Sequence, residues 1–152
     1  MGEGAPGGRG GPLVPRGPGR ETPPGRQVPY NAPMATPTHV VPKSWGEEHW
    51  IVNRDYCGKK LVLKKGHRCS LHFHKVKDEV FYVIKGKVFL ELGGEEHILG
   101  VGDHRHVAVG TVHRFTGLED AEIIEFSTHH EDADSHRVEV GGAVDLATLG
   151  FA

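Results

Sequence analysis

Beyond Pro42 this chain has no proline, although it holds ten in 152 residues. Cysteine is nearly absent: Cys57 and Cys69 stand alone, with no paired spacing that would form a metal knuckle and nothing that asks for an oxidising compartment. Long apolar runs are missing as well, and the first residues carry no apolar core of a secretory signal, so neither export nor membrane insertion is expected and the cytoplasm is the expected location. Excess positive charge is also lacking. Residues 44–152 hold 13 basic and 18 acidic side chains, a balance of −5 with histidine neutral, which argues against nucleic acid as a partner. Finally, no segment before Ala143 shows a helical hydrophobic period, which excludes a βαβ architecture.

The prolines mark a boundary. Residues 1–43 contain all ten of them and nine of the 22 glycines, with almost no aliphatic side chains. Such a segment buries too little apolar surface to offset its ordering entropy, so a disordered tail is expected there. Residues 44–140 read as one domain, and residues 141–152 as a terminal tail or one short helix. Within the domain, short β-rich runs fall at 49–53, 60–64, 69–74, 79–84, 87–92, 95–99, 104–109, 112–115 and 121–128. Turn signals such as Lys65-Gly66, Lys85-Gly86 and Gly93-Gly94 separate them. Short strands at this spacing predict an all-β sandwich or barrel, whose exposed edges favour pairing with a second copy as a homodimer.

One run carries the chemistry. His72 and His74 lie two apart on a strand, so both imidazoles face the same way, and a reversal over residues 75–78 brings Glu79 alongside on the next strand. Two imidazoles and a carboxylate suit a divalent first-row transition metal, with zinc, manganese, iron and nickel all acceptable.

The spacing resembles a known family. Gly66, His72-x-His74, Glu79 and Gly86 match the first cupin motif, and Gly102, Ala108-x-Gly110 and His113 match the second, with Ala108 where proline is usual and Gly117 where asparagine is usual. The resemblance implies a small cupin barrel, the double-stranded β-helix or jelly roll, with His72, His74, Glu79 and His113 on one ion. A finer similarity runs through Lys43-Ser44-Trp45-Gly46, through Gly66-His67-Arg68-Cys69-Ser70-Leu71 and through the acidic stretch before Arg137. These segments resemble the cupin-type domain of mannose-6-phosphate isomerases, although that family usually carries glutamine at the place of His72. It implies a sugar or sugar phosphate as the small-molecule partner and aldose–ketose isomerisation as the chemistry, with proton transfer between neighbouring carbons. A metal-dependent dioxygenase and a non-catalytic carbohydrate-binding module are the rival functions.

Roles follow on that reading. Glu79 is expected as ligand and possible base, with His106 as the competing base. Arg68 and Ser70 share strand parity with the histidines and are expected to bind substrate, with Arg68 gripping a phosphate and Arg137 closing from the tail. Phe81 and Val83 should wall the cavity, while Cys69, Leu71 and Phe73 take the other face. Trp45 and Trp50 read as packing anchors. Arg114 reads as a solvated strand-end charge, and the His129-His130 pair as surface.

Overall fold

A computed structural model describes residues 39–152, which form thirteen strands and two single 3-10 turns. The strands are β1 (His39–Lys43), β2 (Gly46–Asn53), β3 (Tyr56–Leu63), β4 (His67–Arg68), β5 (Leu71–Phe73), β6 (Glu79–Lys85) and β7 (Val88–Leu92). They continue as β8 (Glu95–Leu99), β9 (His104–Val107), β10 (His113–Gly117), β11 (Ala121–Thr128), β12 (His136–Glu139) and β13 (Gly142–Ala143). Every pairing is antiparallel, and the strands fall into two sheets. One runs β1-β2-β3-β11-β6-β9; the other runs β12-β5-β10-β4-β13, with β7 and β8 joined to it through β10. This is the all-β jelly roll expected of a cupin. No helix among the described residues is long and apolar enough to cross a membrane.

Alternation decides which side chains go inside. Along β3 the buried positions are Cys57, Lys59, Leu61 and Leu63; along β6 they are Glu79, Phe81 and Val83; along β11 they are Ala121, Ile123 and Glu125. The register sets Lys59 opposite Glu125 and Leu63 opposite Ala121. One end of the interior is therefore apolar, where Leu63, Val83, Leu90, Phe115 and Ile123 share a single cluster. The other end is charged, and the site lies there.

Two motif glycines are required by geometry. Gly86 has φ +70°, and a Cβ there would stand 2.4 Å from the carbonyl oxygen of Asp120. Gly66, at φ +69°, turns the chain from β3 into β4.

The expected boundaries shift at both ends. Residues 1–38 of the expected tail lie outside the described residues, but residues 39–43 pair with β2 as β1, where Val40, Val41 and Pro42 extend the sheet edge. Pro42 sits on that edge strand, the sheet position that tolerates a missing N–H. At the far end, β13 pairs with β4, and the short helix takes the form of a single 3-10 turn at Leu146–Leu149, N-capped by Asp145. Strands β1, β12 and β13 carry little apolar alternation, which is why the pattern does not show them.

Candidate metal centre

The three histidines converge. His113 on β10 pairs directly with His72 on β5, and His74 follows at the end of β5. Ring centroids stand 4.3 Å apart for His72 and His113, 5.0 Å for His72 and His74, and 5.4 Å for His74 and His113. One ligating atom from each of these residues lies within 4.8 Å of the others. The grouping suits one metal ion.

Each ring is oriented by a backbone carbonyl at its Nδ1. Ser70 O accepts from His72 at 2.8 Å, Asp134 O from His74 at 3.0 Å, and Thr111 O from His113 at 2.9 Å. These partners assign the ring proton to Nδ1 and leave a lone pair on Nε2, the arrangement a metal-ligating imidazole needs. Burial, reinforced by the neighbouring His113 ring, pushes the pKa of His72 down to about 4, against the opposing Ser70 hydrogen bond. Its ring is therefore neutral at pH 7.

Glu79 completes the cluster. Its Oε1 lies 2.9 Å from His113 Nε2 and 3.4 Å from His74 Nε2, and its side chain is sealed from solvent. Burial opposes its charge, but the Lys77 ammonium against Oε2 offsets this and holds the carboxyl below the usual range. Glu79 Oε1 and His113 Nε2 are nevertheless both buried without a hydrogen-bond partner among the described residues. Two lone pairs facing each other this closely repel unless a cation lies against both, so the donor set fits a divalent metal.

Beside the cluster opens a cavity of about 380 Å³. Its lining includes Ser70, Phe81, Lys59, Lys77, Glu125 and Arg137. Arg137 on β12 pairs with His72, so it shares a face with the imidazoles, and it makes no ion pair among the described residues. Lys77 is buried and bridges Glu79 and Glu125, with its Nζ 2.6 Å from Glu79 Oε2. Lys59, also buried, lies 3.4 Å from Glu48 and stacks on the Trp50 ring at 4.2 Å.

Several expectations are corrected. Arg68 does not line the cavity, because strand pairing breaks after it: Cys69 turns into the core, where its Sγ accepts the Phe115 N–H at 3.3 Å. The parity count from His72 back to Arg68 fails at that break, although Ser70 does reach the cavity. Cys69 accordingly faces inward, not outward. His106 points away from the barrel interior and bonds Asp78 at 2.6 Å, since Val107 is the buried position of β9. It is no base for this cavity. Arg114 is buried, with its guanidinium forked onto Glu91 at 2.7 and 2.9 Å and onto Glu139 at 2.8 Å. His130 is buried too and lines the cavity, with its backbone clasped by Asn53 and its Nε2 3.0 Å from Asp132.

Sequence reasoning missed Lys59, Lys77, Glu48 and Glu125. Lys59 and Glu125 were within reach, because each continues an alternation of buried apolar residues. Lys77 sits in a loop, where a lone lysine reads as solvated.

Comparison with known proteins agrees with the fold. Residues 60–127 match the family described as Cupin domain. The polyketide synthase CurC of Streptomyces cyaneus is 30% identical over 61 residues, 40% of each chain. An uncharacterised protein of Aquifex aeolicus is 35% identical over 71 residues, covering 45% of this chain and 59% of that one. The matched stretch thus spans about half the length of these curated relatives. Among solved structures, KdgF from a Halomonas species superposes with TM-score 0.54 at 25% identity, covering 57% of this chain and 81% of that one. The family match and the structural neighbours support the cupin superfamily.

Proposed function

We propose that this protein is a metal-dependent cupin whose cavity receives a sugar phosphate or a comparably acidic sugar, with aldose–ketose isomerisation as its chemistry. The observation that carries the metal is the meeting of His72, His74 and His113 with Glu79 around two buried, unpartnered donor atoms. These four side chains would hold the ion. When bound, a divalent cation supplies a Lewis acid that anchors neighbouring oxygens and offsets negative charge building on them.

The lining supports an acidic ligand. Lys43, Lys59, Lys77 and Arg137 face it against Glu48, Glu79 and Glu125, an excess of one cation before any metal is counted. Each carboxylate is already ion-paired: Glu48 with Lys43 and Lys59, Glu79 and Glu125 with Lys77. Among the described residues Arg137 is the cation of this lining that makes no ion pair, and a guanidinium grips a phosphate or carboxylate with two parallel hydrogen bonds. Phe81 and Trp45 wall the same cavity with apolar surface.

One observation favours a second reading, a metal-containing carbohydrate-binding module without turnover. A general base works best with a pKa near the working pH, whereas Glu79 is held well below even the usual carboxylate range. Proton exchange decides between the two. Metal-loaded protein is incubated with aldose and ketose phosphates in D2O, and deuterium entering the carbon beside the carbonyl is followed by NMR. Incorporation with interconversion supports the isomerase. Saturable binding without incorporation supports the module, and no binding of any acidic sugar contradicts both.

A further inference from the structure

We infer that Lys77 is a positioning residue that reserves one oxygen of Glu79, so that the carboxylate offers a cation Oε1 alone. The inference rests on the metal-binding reading above and extends it to the room left for a ligand.

The two oxygens of Glu79 have separate environments. Oε2 lies 2.6 Å from Lys77 Nζ, whereas Oε1 lies 2.9 Å from His113 Nε2 and 3.4 Å from His74 Nε2. Lys77 is only 3% exposed, and its ammonium also contacts Glu125. A buried ammonium that leaves its partners faces a large desolvation cost, so Lys77 stays where its carboxylates are.

The backbone under Lys77 is fastened as well. The Asp134 carboxylate accepts the N–H groups of Lys75, Val76 and Lys77 at 2.8, 3.1 and 2.9 Å. Asp78 is tied at both its backbone polar groups: its N–H donates to Thr128 Oγ1 at 3.1 Å, and its carbonyl accepts the Thr128 N–H at 3.0 Å. The loop that ends β5 therefore presents Lys77 inward in one position. Asp134 links this arrangement to the histidines, because its carbonyl orients His74.

The consequence concerns ligand binding. A carboxylate that engages a cation through both oxygens fills two coordination positions, and one that engages it through a single oxygen fills one. By holding Oε2, Lys77 keeps a position available for a ligand bearing two neighbouring oxygens. A purely structural Lys77 would neutralise Glu125 and leave the coordination of Glu79 unaffected by its replacement.

The test uses full-length protein loaded with Co(II), whose visible absorption weakens as its coordination number rises. Oxalate serves as the chelating probe and azide as the single-atom probe. Lys77→Met is combined with Glu125→Gln so that no lone carboxylate stays buried, and Lys77→Arg is the conservative rescue. The double variant is expected to keep one Co(II) with weaker absorption, and to bind oxalate on the order of tenfold more weakly while azide changes less. Lys77→Arg restores the wild-type spectrum and oxalate affinity. A double variant with the wild-type spectrum and wild-type oxalate affinity overturns the inference and leaves the metal site standing. Should the double variant not fold, a crystal structure of Co(II)-loaded wild type decides: Glu79 bound through Oε1, with Lys77 on Oε2, supports the inference, and a two-oxygen Glu79 overturns it. Wild-type protein that takes up no Co(II) overturns the metal reading and this inference with it.

Discussion

His113 is the antiparallel partner of His72, and their ring centroids stand 4.3 Å apart. Directly paired residues share a sheet face, so strand pairing aims both rings into the barrel. On the other side of His72, Arg137 is likewise its partner, which aligns its guanidinium with the histidine row.

That alignment separates two arginines. Arg137→Ala is expected to weaken binding of a sugar phosphate by about 1.5–3 kcal/mol, the worth of a hydrogen bond to a charged group, with little effect on the neutral sugar. Arg68→Ala should leave both affinities unchanged. Isothermal titration with each ligand checks the pair, and equal losses for charged and neutral sugars in Arg137→Ala would remove the anion contact.

The buried His130 makes stability depend on pH. Burial, then the nearby Lys59 charge, lowers its pKa below the ordinary 6.5, against the opposing hydrogen bond that its ring donates to Asp132. The unfolded chain therefore binds a proton that the folded protein resists. The associated stability is complete above about pH 6.5 and is lost progressively as pH falls below it. Thermal denaturation between pH 5 and pH 8 should show a shallower slope for His130→Gln than for wild type. Parallel slopes would contradict the assignment.

Asp134 fastens the loop between β5 and β6. Replacing it with alanine removes the acceptor of three backbone N–H groups, two of which belong to exposed residues that water can serve. The expected loss is about 1–2 kcal/mol, read from urea denaturation, together with weaker metal retention because the loop that carries Lys77 is no longer held, although the Asp134 carbonyl that orients His74 remains. A variant with lowered stability and unaltered metal affinity would show that the loop does not support the site.

Arg114 ties β10 to Glu91 on β7 and Glu139 on β12. Arg114→Met leaves two carboxylates that are partly solvated, so the expected cost is about 1–3 kcal/mol. Arg114→Lys should recover only part of it, since an ammonium cannot fork onto Glu91 while reaching Glu139. Full recovery would mean that charge alone matters there.

Only part of the metal centre was legible from local rules: His113 was reached through the resemblance to the second cupin motif, and Glu79 meets the histidines from the opposite sheet rather than from a hairpin partner, because β5 and β6 lie in different sheets. His72 and His74 share a face by strand parity, Glu79 opens the next strand, and positive-φ glycines such as Gly66 and Gly86 mark the turns between ladders. Arg68 was misplaced because parity cannot be carried across a break that the sequence does not reveal at Cys69. His106 was misplaced because β9 is polar on alternate positions and no apolar pattern picks its inner face. Lys77 and Arg114 were illegible for another reason. Long cations are rarely buried, and their burial here depends on carboxylates (Glu125, Glu91 and Glu139) far away in sequence.

Metal content tests the central claim most directly. Elemental analysis of full-length protein incubated with a divalent metal and then desalted should give one ion per chain for wild type. His74→Ala and His113→Ala, still folded by circular dichroism, should retain almost none. Folded variants that keep the full ion, or a wild type that holds none, would contradict the account.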